Sequence, residues 1–173
     1  MTIELHFLGA DLPLTKEFTL DAAGKLLKSP YPMVKNFTSY REKVSTLEEF
    51  NDAIIHHASL GHCLLKGKLD RPLHDESRAK HTRADEPTNW IVLDVDGLPY
   101  SPEEFMAIMG LSNTSYIVQY SASSGISHVD DITTSLPNMN RFHIFVMLAK
   151  PQRPSQLKEW LKHKNLTVPR ISS

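Results

Sequence analysis

The chain is poor in cysteine: Cys63 is the only one in 173 residues. A single thiol excludes an intramolecular disulfide and any zinc site built from several cysteines, and it fits a reducing compartment. Long apolar runs are also missing, and none approaches the ~20 residues that a membrane-spanning helix needs. The opening Met1-Thr2-Ile3-Glu4-Leu5-His6 lacks the basic start and apolar stretch of a signal peptide. These absences lead us to expect a cytoplasmic protein with no membrane partner. Net charge is nearly absent too. Lysine and arginine total 19 against 20 aspartates and glutamates, for a net charge of -1, so a polyanion would have to meet a local patch. There is no internal repeat, no low-complexity tract and no Walker A motif. What is present is ordinary core material: 40% of residues are hydrophobic and 23% charged. The length suits one domain or one and a half.

Periodicity divides the chain at about residue 88. In 1–88, Thr2 to Leu8 alternates as a strand, and Lys16–Leu20 and Met33–Tyr40 are weaker strand candidates. Thr46-Leu47-Glu48-Glu49 is a capping box for a helix running to about Leu60, with Leu47, Phe50, Ile54 and Ala58 as its apolar stripe and Gly61 as its stop. His62 to Lys66 reads as a short strand, and Gly67 to Thr88 as a long polar connection. In 89–173, Trp90–Val95 is a strand, and Ser101-Pro102-Glu103-Glu104 opens a helix that ends at Gly110. Ser115–Tyr120 and Arg141–Leu148 are strands, and Ser155 to His163 is a last helix. Strand, helix, strand, strand, helix is a ferredoxin-like or RNA-recognition-like order lacking its final strand. The predicted fold class is α+β: an N-terminal mixed α/β unit packed against an RNA-recognition-like unit that is incomplete.

The most informative segment is Trp90-Ile91-Val92-Leu93-Asp94-Val95-Asp96-Gly97-Leu98-Pro99. Residues two apart on a strand point to the same side, so Asp94 and Asp96 aim their carboxylates at one place. Like charges so close repel one another, and a divalent cation with a preference for oxygen, Mg²⁺ or Mn²⁺, relieves the repulsion. The turn at Gly97, Leu98 and Pro99 would end the strand where a ligand enters. The ordinary alternative is a solvated acidic turn, which seldom follows an unbroken apolar strand.

Three further groupings accompany it. Tyr120-Ser121-Ala122-Ser123-Ser124-Gly125 follows a strand, and its hydroxyls and backbone N–H groups could meet phosphate oxygens, or it is a plain turn. Arg141 and His143 share one face of their strand, opposite Phe142, Ile144 and Val146, and present a guanidinium and an imidazole to a triphosphate. Lys66, Lys68, Arg71, Arg78, Lys80 and Arg83 make the connection basic. Its usual role is a solvated loop, with Lys66 and Arg78 the candidates for phosphate contact. His56, His57, His62 and Cys63 invite a zinc reading, but His56 and His57 point in different directions on a helix. Asp94, Asp96, Gly97 and Glu103 match only part of a calcium loop, whose first ligand would be Val92.

The strand carrying Asp94-Val95-Asp96 resembles the first motif of archaeo-eukaryotic-type primase-polymerases. Arg141-Phe142-His143 resembles their second, with arginine where serine is usual. Cys63-Leu64-Leu65-Lys66-Gly67 and Glu76-Ser77-Arg78-Ala79 resemble the leader of replication proteins from phages and mobile elements in that superfamily. The resemblance implies template-directed nucleotidyl transfer in DNA replication. Asp94 and Asp96 would hold Mg²⁺ or Mn²⁺. His143, Arg141, Ser121, Ser123, Ser124, Gly125, Lys66 and Arg78 would bind the nucleotide, with Asp94, Asp96 and His143 as the catalytic set. The implied partners are nucleoside triphosphates, a single-stranded DNA template or primer-template, and a replicative helicase. The family's third acidic motif has no counterpart after Glu159; Asp130 and Asp131 precede His143. The expectation is therefore a fragment whose activity in isolation is poor.

Two other readings compete. Asp94-Val95-Asp96-Gly97 also resembles the nucleophile motif of haloacid-dehalogenase-type phosphatases, with Ser121 as a second motif. Leu98 stands where threonine or valine is usual, and little chain remains for the later motifs. A non-catalytic nucleic-acid-binding module is the third reading. Phe142 and Phe145 lie on opposite faces of their strand and so form no double aromatic platform.

Overall fold

The computed structural model describes residues 2–83, 85–122, 124 and 140–167. The chain is α+β and divides into two compact units, Met1–Asn89 and Trp90–Ser173. Among the described residues no helix is long and apolar enough to cross a membrane.

In the first unit, strand β1 (Ile3–Gly9) is the centre of a three-stranded sheet. The hairpin of β2 (Glu17–Leu20) and β3 (Leu26–Ser29) stands apart as its own two-stranded ribbon, and Asp21 shapes its turn by accepting from the N–H groups of Ala23 and Lys25. The next strand, β4, spans Thr38–Val44 and pairs antiparallel along the whole of β1, from Ile3 opposite Val44 to Gly9 opposite Thr38. The expected strand at Met33–Tyr40 therefore starts too early. Pro30 and Pro32 supply no ladder N–H groups, and pairing begins only after Phe37, which bridges Glu76.

Helix α1 (Leu47–Ser59) has Thr46 as its N-cap, whose side chain accepts from the Glu49 N–H. The Glu49 carboxylate reaches back to the Ser45 N–H rather than to that of Thr46, so the reciprocal bond lands one residue earlier than a regular capping box. The buried residues of α1 are Phe50, Ile54 and His57; the expected fourth member of the stripe, Ala58, is exposed. His57 takes the inward place because its ring stacks on Phe7 of β1 at a centroid separation of 3.8 Å. The short strand β5 (Cys63–Leu64) pairs antiparallel with the other edge of β1.

The span Gly67–Thr88 is more ordered than a polar loop. β6 (Lys68–Leu69) and β7 (Thr82–Arg83) pair antiparallel, and a 3₁₀ turn covers Arg78–Lys80. Leu69 and Leu73 are buried with Leu8, Leu14 and Leu65 in a core cluster of their own. Arg71 pairs with Glu76, and His81 and Arg83 pair with Asp70. Two apolar anchors among many charges were enough to fold the segment.

The second unit is built on strand β8 (Thr88–Leu98), helix α2 (Pro102–Ile108), β9 (Ile117–Tyr120), β10 (Asn140–Gln152) and helix α3 (Pro154–Thr167). The sheet order is β8-β10-β9, and β9 lies antiparallel to β10, with Phe142 opposite Tyr120 and His143 opposite Gln119. Ile91, Leu93, Val95, Phe142, Ile144 and Val146 form one sheet face and pack with Met106 of α2, while Leu157, Trp160 and Leu161 of α3 join at the margin. α2 starts with the full capping box of Ser101 and Glu104 and has proline in its first turn. Gly110, just past its C-cap Met109, stops it with a φ of 73°, the left-handed conformation common after a helix C-terminus, and the Leu111 N–H donates to the Met106 carbonyl. β8 does not end at Asp96: pairing continues through Leu98, and Gly97 at φ 73° kinks the strand without breaking it.

Candidate functional site

Alternation along β8 places Leu93 and Val95 in the core and turns Asp94 and Asp96 outward, with side-chain exposures of 57% and 80%. Along β10 the same alternation buries Phe142 and Ile144 and turns Arg141 and His143 to the other side. β8 and β10 are hydrogen-bonded neighbours, so the two outward pairs meet. Arg141 Nε lies 3.0 Å from Asp96 Oδ1, and His143 Nε2 lies 3.2 Å from Asp94 Oδ1. Higher numbers on one strand meet lower numbers on the other, as in an antiparallel pair. The result is a ladder of two acids facing two nitrogenous bases on the sheet face opposite the core.

The ladder sits at one end of that face. By the period of two, Trp90 shares the side of Asp94, and Phe145 shares the side of His143; both are buried, with ring centroids 6.5 Å apart. The face therefore changes from apolar at Trp90 and Phe145 to charged at Asp96 and Arg141. Gln119 of β9, opposite His143, extends the polar end and is exposed.

The serine turn is tied to Arg141 through its backbone. The Ser121 N–H donates to the Arg141 carbonyl at 2.9 Å, and the Arg141 N–H donates to Ser124 Oγ at 3.3 Å. The Ser124 N–H closes the turn on the Ser121 carbonyl at 2.8 Å. Ser121 and Ser124 are thus brought beside Arg141, and Ser124 spends an acceptor lone pair on the backbone. Ser123, Gly125, Asp130 and Asp131 lie outside the described residues. Lys66 and Arg78 belong to the first unit, where both are exposed.

Asp94 and Asp96 offer hard, charged oxygen donors of the kind Mg²⁺ and Mn²⁺ take. Mg²⁺ sites commonly use only one or two carboxylates, with substrate phosphates and water completing the shell. Among the described residues, no group of three or more histidines, cysteines, aspartates and glutamates is poised to hold a metal. The donor set fits a cation shared with substrate better than an all-protein cage.

A second titratable cluster occupies the first unit, around two of the histidines weighed above for zinc. His57 Nδ1 and His62 Nδ1 are 2.9 Å apart, and the other ring nitrogen of His57 lies 3.4 Å from Glu42. His62 stacks on Tyr40 at 4.4 Å. Burial pushes the imidazoles of His57 and His62 below their ordinary range; Glu42 opposes this at His57, and neighbouring histidines add to it at His62. His6, fully buried, is lowered by the same cause against the pull of Glu4. The sequence signal was the close spacing of His56, His57 and His62 around the end of α1. His57 stands seven residues after Phe50 and three after Ile54, a spacing that places it on their buried face of α1.

No protein-family model, curated protein or solved structure matches this chain.

Proposed function

We propose that the second unit carries a metal-dependent nucleotidyl-transfer site of the primase-polymerase kind, built on Asp94, Asp96, Arg141 and His143. The observation that supports this reading is the ladder itself: two outward carboxylates on β8 beside a guanidinium and an imidazole on β10. A cation and a triphosphate are opposite charges that must be held side by side, and the ladder offers acids and bases in that arrangement. Asp94 and Asp96 would hold Mg²⁺ or Mn²⁺, which when bound activates a 3′-hydroxyl and neutralises the leaving pyrophosphate. Arg141 binds phosphate oxygens through its planar fork, and His143 donates to them from Nε2. Ser121 and Ser124 hold the backbone of Arg141 in place. The partners on this reading are nucleoside triphosphates and a single-stranded DNA template or primer-template, with a replicative helicase as companion and the cytoplasm as compartment.

The deciding experiment is templated nucleotide incorporation with Mg²⁺ or Mn²⁺, alongside binding of nucleoside tri- and monophosphates. Arg141→Ala should weaken triphosphate binding more than monophosphate binding; equal losses would remove Arg141 from the phosphate site. Rapid phosphate release from simple phosphate esters, abolished by Asp94→Asn, would replace this reading with the phosphatase one.

A further inference from the structure

Both acids of the ladder already have cationic or potentially cationic partners. Arg141 Nε approaches Asp96 Oδ1 at 3.0 Å, and His143 Nε2 approaches Asp94 Oδ1 at 3.2 Å. A metal ion approaching Asp96 therefore meets the positive charge of Arg141, and a phosphate approaching Arg141 meets the negative charge of Asp96. The Arg141 contact is also incomplete: its Nε is shielded from solvent yet has no hydrogen-bond partner, so the group is close to Asp96 without aiming its N–H at it. A charge contact without a directional bond, between side chains 40% and 80% exposed, is held weakly. Opening of the contact would free that N–H for a phosphate oxygen.

We propose that the Asp96–Arg141 and Asp94–His143 pairs form an exchangeable latch, which a divalent cation and a polyphosphate open from opposite sides. The proposal rests on the nucleotidyl-transfer reading above and adds to it a rule for how the site fills. The cation takes the carboxylates and the polyphosphate takes Arg141 and His143, so each ligand removes the counter-charge that held back the other. Linkage makes the coupling reciprocal, and each ligand raises the affinity of the other by the same factor. Either ligand alone binds weakly, because the groups that would take it are already engaged by their neighbours.

Reciprocity gives a test that avoids the direct chelation of metal by nucleotide. The first arm titrates Mn²⁺ into nucleotide-free protein and follows free Mn²⁺ by electron paramagnetic resonance. Arg141→Gln should tighten Mn²⁺ binding about five-fold, equivalent to about 1 kcal/mol. The second arm titrates inorganic tripolyphosphate into protein in EDTA by calorimetry. Asp96→Asn should tighten that binding by a similar factor, although it removes a residue of the site. If Mn²⁺ binds the wild type but Arg141→Gln leaves it unchanged or weaker, the latch is overturned while the metal site stands. The same holds if Asp96→Asn leaves tripolyphosphate binding unchanged or weaker. If no variant binds Mn²⁺, the metal reading falls and the latch falls with it. Asp96 is exposed and Arg141 half-buried, and unaltered far-ultraviolet circular dichroism checks that the variants are folded.

Discussion

The two units use histidine in opposite ways. In the first, His6 and His57 are almost wholly buried, and burial holds them and His62 below their ordinary titration range. In the second, His143 is partly exposed on a sheet face beside Asp94. A buried neutral imidazole contributes to packing, as the stacking of His57 on Phe7 shows, and resists protonation. An exposed imidazole next to a carboxylate is available to a ligand. The difference lies in whether the opposite side of the strand is already occupied. β1 is covered by α1 on the side of His57, whereas β8 and β10 spend their core-facing side on Ile91, Leu93, Val95, Phe142 and Ile144 and keep the ladder outside. The first unit should therefore register pH as stability, and the second should tolerate substitutions at its ladder with little change in stability.

The largest effect that would sharpen this contrast is at Phe142, fully buried beneath the ladder. Phe142→Ala should destabilise the chain by about 3–5 kcal/mol through the cavity it leaves. The acid sensitivity contributed by the first unit should be unchanged. Urea denaturation at two pH values measures both, and a loss under about 1 kcal/mol would show that the sheet does not depend on this ring.

Acidification comes next. His6, His57 and His62 have folded pKa values below 6.5, so the unfolded chain gains protons first as pH falls. Stability conferred by neutral burial is complete above pH 6.5 and declines as pH drops below it, until the folded histidines protonate as well. Each site steepens the decline by up to about 1.4 kcal/mol per pH unit. Denaturation midpoints should fall between pH 7 and pH 5, and His57→Leu should flatten the slope. A midpoint that stays constant across that window would break the contrast at its root.

Asp94→Asn tests the other side of the comparison. A charged ligand oxygen becomes neutral, so Mn²⁺ binding should weaken at least about tenfold. Unfolding free energy should change by no more than about 0.5 kcal/mol, as for an exposed site. An unchanged Mn²⁺ titration would take Asp94 out of the proposed site, and a large stability loss would make its role structural.

The smallest effect concerns the caps. Ser101→Ala removes one half of a reciprocal capping box, and Thr46→Ala removes a cap whose glutamate partner bonds instead to Ser45. Each should cost about 1 kcal/mol. Adding Glu104→Ala to Ser101→Ala should cost less than the sum of the single changes, because the two side chains act together, and a double-mutant cycle measures that coupling. Strict additivity would show that the box is no more than two separate bonds.

Much of the second unit was legible because its signals are local. Ile91, Leu93 and Val95 alternate with Asp94 and Asp96, and Ser101-Pro102 with Glu104 marks a helix start through contacts within one turn. The first unit was less legible. Thr38–Val44 reads as mostly polar, and it forms a strand because β1 pairs with it residue for residue. Leu69 and Leu73 are sparse apolar residues in a charged segment, and only their burial with Leu8 and Leu14 shows that the segment is ordered. His57 displaced Ala58 from the expected stripe because the ring of Phe7 waits on that side of α1.

By itself the sequence determined the α+β class, the strand carrying Asp94 and Asp96 on one side, and the common side of Arg141 and His143. Backbone sterics impose a period of two on any strand, so these relations hold before the chain is folded. Only the tertiary structure decided that β10 lies beside β8, and in a register that sets Asp96 against Arg141 and Asp94 against His143. Register depends on how Phe142, Ile144 and Val146 interlock with Ile91, Leu93 and Val95 across the core, and a shift of one residue would turn every side chain of β10 to the other face. That packing energy is shared among residues some fifty positions apart, where no local pattern can express it.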